Sequence, residues 1–306
     1  MAVIVLVHGI AQEQKSADTL VGEWTDDLIG GVRNAGHDDL ADRLRRRAVD
    51  DPDLIRMAFY GNVFLRPDQQ GGASGELDSG QRELAEELAT EFLHNASEST
   101  RPRDAGNATL ALRALEHGPG DRQGVGAVAG RAVAALDGIP WLSRAGMHLG
   151  KVNRIVSQAV RYLTEPPVRD AAIASVLKHL GPETRVVVAH SLGSVVAYEA
   201  LRERPQQLPL FLTLGSPLGL NAVVRNLRQP PAFPTGVLRW TNLAGRNDVV
   251  AARPQLTRIF DWGRPAGAHF ESTYTVDNGA EPHTADFYLT KTTAGAAIAE
   301  RLGAVV

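Results

Sequence analysis

Val186-Val187-Val188-Ala189-His190-Ser191-Leu192-Gly193-Ser194 is the stretch on which the fold of this chain turns. An apolar, β-branched run ends at a serine with small residues two places before and after it, Ala189 and Gly193. An apolar helical pattern follows at once in Val195-Val196-Ala197-Tyr198-Glu199-Ala200-Leu201. The spacing predicts a strand, a tight turn and a helix, with a hydroxyl at the apex. A serine held there is exposed at the carboxyl end of a strand, beside a helix amino terminus. Both properties suit a nucleophile. The bland alternative is a helix N-cap, the commoner role of serine before a helix. Partners elsewhere in the chain decide between the two.

Outward from this segment, short β-rich runs alternate with helical patterns. The runs fall at residues 3–7, 55–60, 185–189, 210–214, 237–243 and 270–276, the first five bounded by Gly, Pro, Asn or Asp. Helical patterns fall at 17–35, 168–180, 192–203 and 286–302, with Gly303 in the place of a C-terminal cap. The alternation predicts an α/β fold: a mainly parallel sheet of about six strands with helices on both faces.

Residues 67–166 interrupt this order. A Gly-rich segment at 68–75 opens them, and helical patterns follow at 81–94, 108–117, 125–136 and 142–163, separated by Gly- and Pro-containing breaks. That much helix between two strands exceeds one crossover. It is expected to be a helical cap over one end of the sheet, against the alternative of ordinary lateral packing.

Composition narrows the classes of function. With 43% apolar and 22% charged residues in 306, the chain has the makings of a soluble globular protein with a sizeable core. A formal net charge of −3 gives no electrostatic case for nucleic acid or an anionic membrane as the main partner. The absence of cysteine excludes disulfides, thiolate metal sites and a cysteine nucleophile. Met1-Ala2-Val3-Ile4-Val5-Leu6-Val7 lacks a basic n-region and a small-residue cleavage site, so a buried strand and a cytoplasmic location are expected. No apolar run approaches the roughly 20 residues that span a bilayer.

The first run ends in His8-Gly9-Ile10. A glycine there lets the backbone turn towards the neighbouring strand end, so that the Ile10 amide points at an oxyanion forming beside Ser191. The Leu192 amide, directly after the serine, is the second expected donor; each is worth about 3 kcal/mol to a transition state. The general base should be a histidine near the last strand. Of nine histidines, His8 and His190 lie inside the motifs, and His37, His94, His117, His148 and His179 fall in helical or inserted segments. His283, in a polar loop before the terminal helix, is favoured over His269, which precedes the final run. The orienting acid should follow the run at 237–243. Asp248 is the only carboxylate of that loop, with Asp261 and Asp277 as alternatives and a simple turn-forming role as the bland reading.

The order Ser191, Asp248, His283, each after a strand, resembles the α/β-hydrolase fold family. Within that family, His8-Gly9-Ile10 and Ala189-His190-Ser191-Leu192-Gly193 look most like small lipases and esterases, some of which carry Ala-His-Ser-x-Gly at this turn. The resemblance covers about residues 1–60 and 167–306. It implies a hydrolase core over 1–66 and 167–306, lacking the family's two leading strands, with the cap at 67–166. The implied activity is hydrolysis of a carboxylic ester, a lipid or acyl ester, through an acyl-enzyme, with no metal or organic cofactor. A thioesterase or acyltransferase would use the same residues, and a non-catalytic, partner-binding relative is the rival from another class. Residues 125–149 are interrupted by Arg131, Asp137, Arg144 and His148 and so do not span a membrane. Trp141 and Leu142 there are candidates for peripheral contact with an acyl chain or lipid surface, against the simpler expectation of a helix packed on its own domain. Arg43–Arg47 reads as a solvated helix face, nearly cancelled by neighbouring aspartates.

Overall fold

The computed structural model describes residues 2–65, 77–117, 130–136, 138–139, 149–251 and 256–303. Its centre is an all-parallel, six-stranded sheet in the spatial order β2-β1-β3-β4-β5-β6. The strands are β1 (Ile4–Val7), β2 (Ile55–Ala58), β3 (Val186–His190), β4 (Leu210–Leu214), β5 (Arg239–Gly245) and β6 (His269–Val276). Along the chain the first helices are α1 (Ala17–Asn34), α2 (Asp38–Asp50), α3 (Ser79–Ser97), α4 (Pro102–His117), α5 (Arg131–Leu136) and α6 (Leu149–Thr164). After them come α7 (Pro166–Leu177), α8 (Leu192–Glu203), α9 (Asn221–Arg225), α10 (Thr257–Phe260), α11 (Ala285–Leu289) and α12 (Thr292–Leu302).

Side-chain alternation explains why both faces of the sheet are covered. Val5, Val7, Val187 and Ala189 point into one hydrophobic cluster, and Ile4, Leu6, Val186 and Val188 into another. β1, β3 and β4 are buried along their whole length, so they read in the sequence as nearly continuous apolar runs, interrupted only by His190 and Thr213. α1 covers the second cluster with a stripe at Leu20, Trp24, Leu28 and Ile29, and the Ser16 hydroxyl caps it by accepting from Thr19 N at 3.1 Å.

The inserted helices α3 to α6 lie between β2 and β3. Leu88 and Phe92 of α3 and Val152 and Val156 of α6 belong to the same cluster as Val7, Ala189 and Leu192. At about 1.5–3 kcal/mol per buried large apolar side chain, this packing is a strong bond between the insertion and the sheet. α3 begins at a capping box in which Asp78 and Gln81 exchange hydrogen bonds. Beyond it, Arg169 of α7 pairs with Glu199 of α8, and Tyr162 of α6 donates to the same buried carboxylate at 2.5 Å. Arg43–Arg47 lies within α2, where Arg45 meets Asp26 at 2.8 Å.

Two expectations need correction. The terminal pattern at 286–302 is not one helix: α11 stops at Leu289, and α12 starts after a break at Thr290 and Lys291. Gly303 follows with φ −55, a right-handed conformation and not a left-handed cap. The Gly-rich segment 68–75, and Trp141, Leu142 and His148, lie outside the described residues. Among the described residues no helix is long and apolar enough to cross a membrane.

The strand order has one functional consequence. From β1 the chain moves outward to β2 on one side, and later to β3 on the other. Crevices in open parallel sheets form where the order reverses, outside the carboxyl ends of the strands. Here that point lies between β1 and β3, whose ends carry Gly9 and Ser191.

Candidate active site

Ser191 leaves β3 with φ 53 and ψ −133 and is one of two non-glycine residues at positive φ among the described residues. A side chain held there costs about 1–3 kcal/mol and persists only where its surroundings fix it. The fixing is visible. The Ser191 amide donates to the Leu214 carbonyl at 3.0 Å, and its carbonyl accepts from Ser194 N at 2.9 Å and Ser194 Oγ at 2.6 Å. Ser194 Oγ also meets Ser216 Oγ at 2.6 Å. A Cβ at Gly193 would strike the Val7 and His8 carbonyls, so the small residue lets α8 sit directly on the end of β1. The N-cap alternative fails: Ser191 makes no capping hydrogen bond. Its Oγ lies instead 2.9 Å from His283 Nε2.

His283 comes from the loop between β6 and α11, and its Nδ1 is 2.8 Å from Asp248 Oδ2. Asp248, 1% exposed, sits in the loop after β5. Its Oδ2 also accepts from Tyr288 Oη at 2.8 Å, and its Oδ1 from Val250 N at 3.0 Å and Ala251 N at 3.2 Å. A buried carboxylate without such donors would be very unfavourable; this one has four. Because a carboxylate only accepts, His283 Nδ1 carries the proton and Nε2 is left to accept from the Ser191 hydroxyl. The alternatives lie elsewhere. His269 is the first residue of β6, at the opposite end of that strand. Asp261 pairs with Arg264, and Asp277 accepts from Gly279 N.

Sequence reasoning left His8, His190 and Tyr288 without roles. Tyr288 Oη bridges the site: it donates to Asp248 and accepts from Gly245 N at 2.7 Å. His190 Nε2 donates to the His283 carbonyl at 2.8 Å and so holds the loop that carries that imidazole. Burial, and then the neighbouring His283, hold His190 well below the ordinary histidine range, so it stays neutral. His8 supports the loop after β1. Its Nδ1 donates to the Gly9 carbonyl at 2.5 Å and its Nε2 accepts from Tyr60 N at 3.1 Å, while its carbonyl accepts from Tyr60 Oη at 2.6 Å. Burial pushes its pKa down to about 4, opposed in part by the bond to Gly9. The one signal for these histidines was adjacency to Gly9 and Ser191.

Gly9 lies against the serine: a Cβ there would come within 2.9 Å of Ser191 Cβ. Ile10 and Leu192 line the same cavity as Ser191 and His283. Neither amide donates a hydrogen bond to a described residue, so both are available to an oxyanion. The cavity holds about 370 Å³. Leu88, Phe92, Leu136, Val152, Ile155 and Val156 of the inserted helices wall one side of it; Lys15, Glu23 and Trp24 stand on another, and Pro217 from the loop after β4 also contributes. Lys15 and Glu23 pair at 2.6 Å.

The inserted helices also grip the loops themselves. Gln158 Oε1 of α6 accepts from Ala11 N at 2.8 Å, and Asn95 of α3 donates to the Val249 carbonyl at 2.8 Å. Ser99 Oγ and Thr100 N donate to Asn247 Oδ1 at 2.9 and 3.0 Å, and Arg101 donates to the Gly279 carbonyl. The loops after β1, β5 and β6 are therefore each tied to the insertion. An arrangement of this kind can move a proton from a serine hydroxyl to an imidazole and hold negative charge on two amides, in a largely apolar chamber. No protein-family model, curated protein or solved structure matches this chain at a significant level.

Proposed function

We propose that the chain is a serine hydrolase of the α/β-hydrolase type, cleaving a carboxylic ester of the lipid or acyl-ester class through an acyl-enzyme. The observation that carries the reading is the unbroken line Ser191 Oγ, His283, Asp248, with contacts of 2.9 and 2.8 Å, opening into an apolar cavity. His283 Nε2 takes the hydroxyl proton as Ser191 Oγ attacks the carbonyl carbon. Asp248 keeps the proton on Nδ1 and stabilises the imidazolium. The amides of Ile10 and Leu192 hold the oxyanion, at about 3 kcal/mol per donor. The imidazolium then protonates the departing alkoxide, and a water activated by the same imidazole cleaves the acyl-serine. The wall formed by the described inserted helices α3, α5 and α6 is the acyl side, so these helices act as a cap fixed to the hydrolase core. No step calls for a metal or cofactor.

A fluorophosphonate probe tests this. Folded protein should label stoichiometrically at Ser191, with labelling abolished in Ser191→Ala and strongly reduced in His283→Ala. Folded wild-type protein that stays unlabelled overturns the reading. Asp248→Asn should fold and lower kcat by about 10⁴, because the imidazole is then held in the wrong tautomer.

A further inference from the structure

The Gly9–Ile10 peptide is held from both sides, and one of the two holds comes from the insertion. Upstream, the Gly9 carbonyl accepts from His8 Nδ1. A trans peptide points its N–H opposite to its carbonyl, so this bond turns the Ile10 amide away from the His8 ring. Downstream, Ala11 has φ 60, the other positive φ of a non-glycine residue among those described. Such strain needs an external hold. The Ala11 amide donates to Gln158 Oε1 at 2.8 Å, across 147 residues of sequence.

Gln158 is 3% exposed, and both ends of its amide are engaged. Its Nε2 donates to Glu13 Oε2 at 3.1 Å, and Glu13 Oε1 accepts from Arg154 Nη1 at 2.8 Å. Glu13 is itself buried, at 8% exposed. An aliphatic side chain of this size would pack α6 as well without burying an amide. What glutamine adds is an acceptor for Ala11 and a donor for Glu13 on one rigid plane.

We propose that Gln158 is a positioning residue: by fixing Ala11 it aims the Ile10 amide at the oxyanion formed when Ser191 attacks. This rests on the hydrolase reading above. Gln158 touches neither substrate nor Ser191 in this role and acts through the backbone.

Two variants test it. Gln158→Leu keeps the volume and removes the acceptor for Ala11 together with the donor to Glu13, so kcat should fall at least about tenfold with KM nearly unchanged. Hydrogen exchange at the Ala11 amide should accelerate in the same protein. Gln158→Glu keeps an acceptor for Ala11 but, when ionised, sets a second carboxylate against Glu13 beside Arg154. Protonated, it donates to Glu13 as the amide does. Its kcat relative to wild type should therefore recover as pH falls from about 8 to about 5.5, a dependence that a merely structural role would not produce. The proposal is overturned if Ala11 exchange is unchanged in Gln158→Leu, or if that variant, folded, keeps wild-type kcat. It is equally overturned if the Gln158→Glu ratio stays low across this pH range, since the acceptor for Ala11 is then present without effect. Faster Ala11 exchange in a protein whose wild type neither labels with fluorophosphonate nor hydrolyses esters removes the hydrolase reading and leaves Gln158 a loop anchor only.

Discussion

Acid should unfold this protein partly through His8, and the size of the effect follows from its surroundings. The ring is buried, with Nδ1 donating to Gly9 and Nε2 accepting from Tyr60 N. A second proton has to enter at Nε2, where it would face the Tyr60 N–H instead of accepting from it. Burial, opposed in part by the bond to Gly9, puts the folded pKa at about 4, below the ordinary value of 6.5. The unfolded chain then binds a proton more readily than the folded one. Stability is fully present above the unfolded pKa and is lost as pH falls towards the folded one. The whole window is worth about 3 kcal/mol, of which about 2 kcal/mol is gone by pH 5. His190, shifted in the same direction by burial, adds to the loss. Urea unfolding from pH 7 to pH 4 measures it, in wild type and in His8→Gln, which keeps an acceptor near Tyr60 N but cannot titrate. Groups common to both proteins cancel in the difference. The wild type should lose about 3 kcal/mol relative to the variant across the window. Parallel stability curves would refute the reasoning.

Two further outcomes are expected elsewhere in the molecule. Tyr288→Phe removes one donor from Asp248 and leaves the buried Gly245 N–H without its acceptor, at a cost of about 2–4 kcal/mol. Thermal denaturation should register that loss, and kcat should fall about tenfold as the carboxylate gains freedom; an unchanged melting temperature would contradict the bridging role. Asp27 has its pKa raised to about 6 by burial, then by Asp286, Asp26 and Glu23. Its folded pKa lies above the unfolded one, so its contribution is lost as pH rises between the two. Asp27→Asn should melt higher than wild type at pH 7, with the gain vanishing below about pH 4.

The central strands β1, β3 and β4 were legible because they are buried on both faces and therefore spell apolar runs between turn residues, as in Val186–His190, whereas the edge strand β6 is exposed or half-buried along most of its length and shows as a β-rich run only. The loop residues Asp248 and His283 could be singled out because each follows a strand and few carboxylates or histidines compete there. Long-range polar partners were not legible. Gln158 and Ala11 are 147 residues apart, and nothing at either position marks the other. Tyr288 was hidden by a continuous helical pattern through 286–302 that the chain breaks at Thr290 and Lys291, without a glycine or proline at the break. The roles of His8 and His190 depend on carbonyls of neighbouring loops, which no spacing rule encodes.

The same long-range bonds bear on what the insertion can do. A lid that swings clear as a body must break every polar tie to what it covers and expose the apolar surface beneath. Here that means the bonds from Gln158 to Ala11, from Asn95 to Val249, from Ser99 and Thr100 to Asn247, and from Arg101 to Gly279. At about 1 kcal/mol each they already sum to several kcal/mol, before the burial of Leu88, Phe92, Val152 and Val156 is counted. Such a motion would also release the loops carrying Asp248 and His283 along with the Ala11 turn, dismantling the site it uncovered. The described part of the insertion is therefore better understood as the frame that holds three loops in register than as a cover lying over a site already complete beneath it.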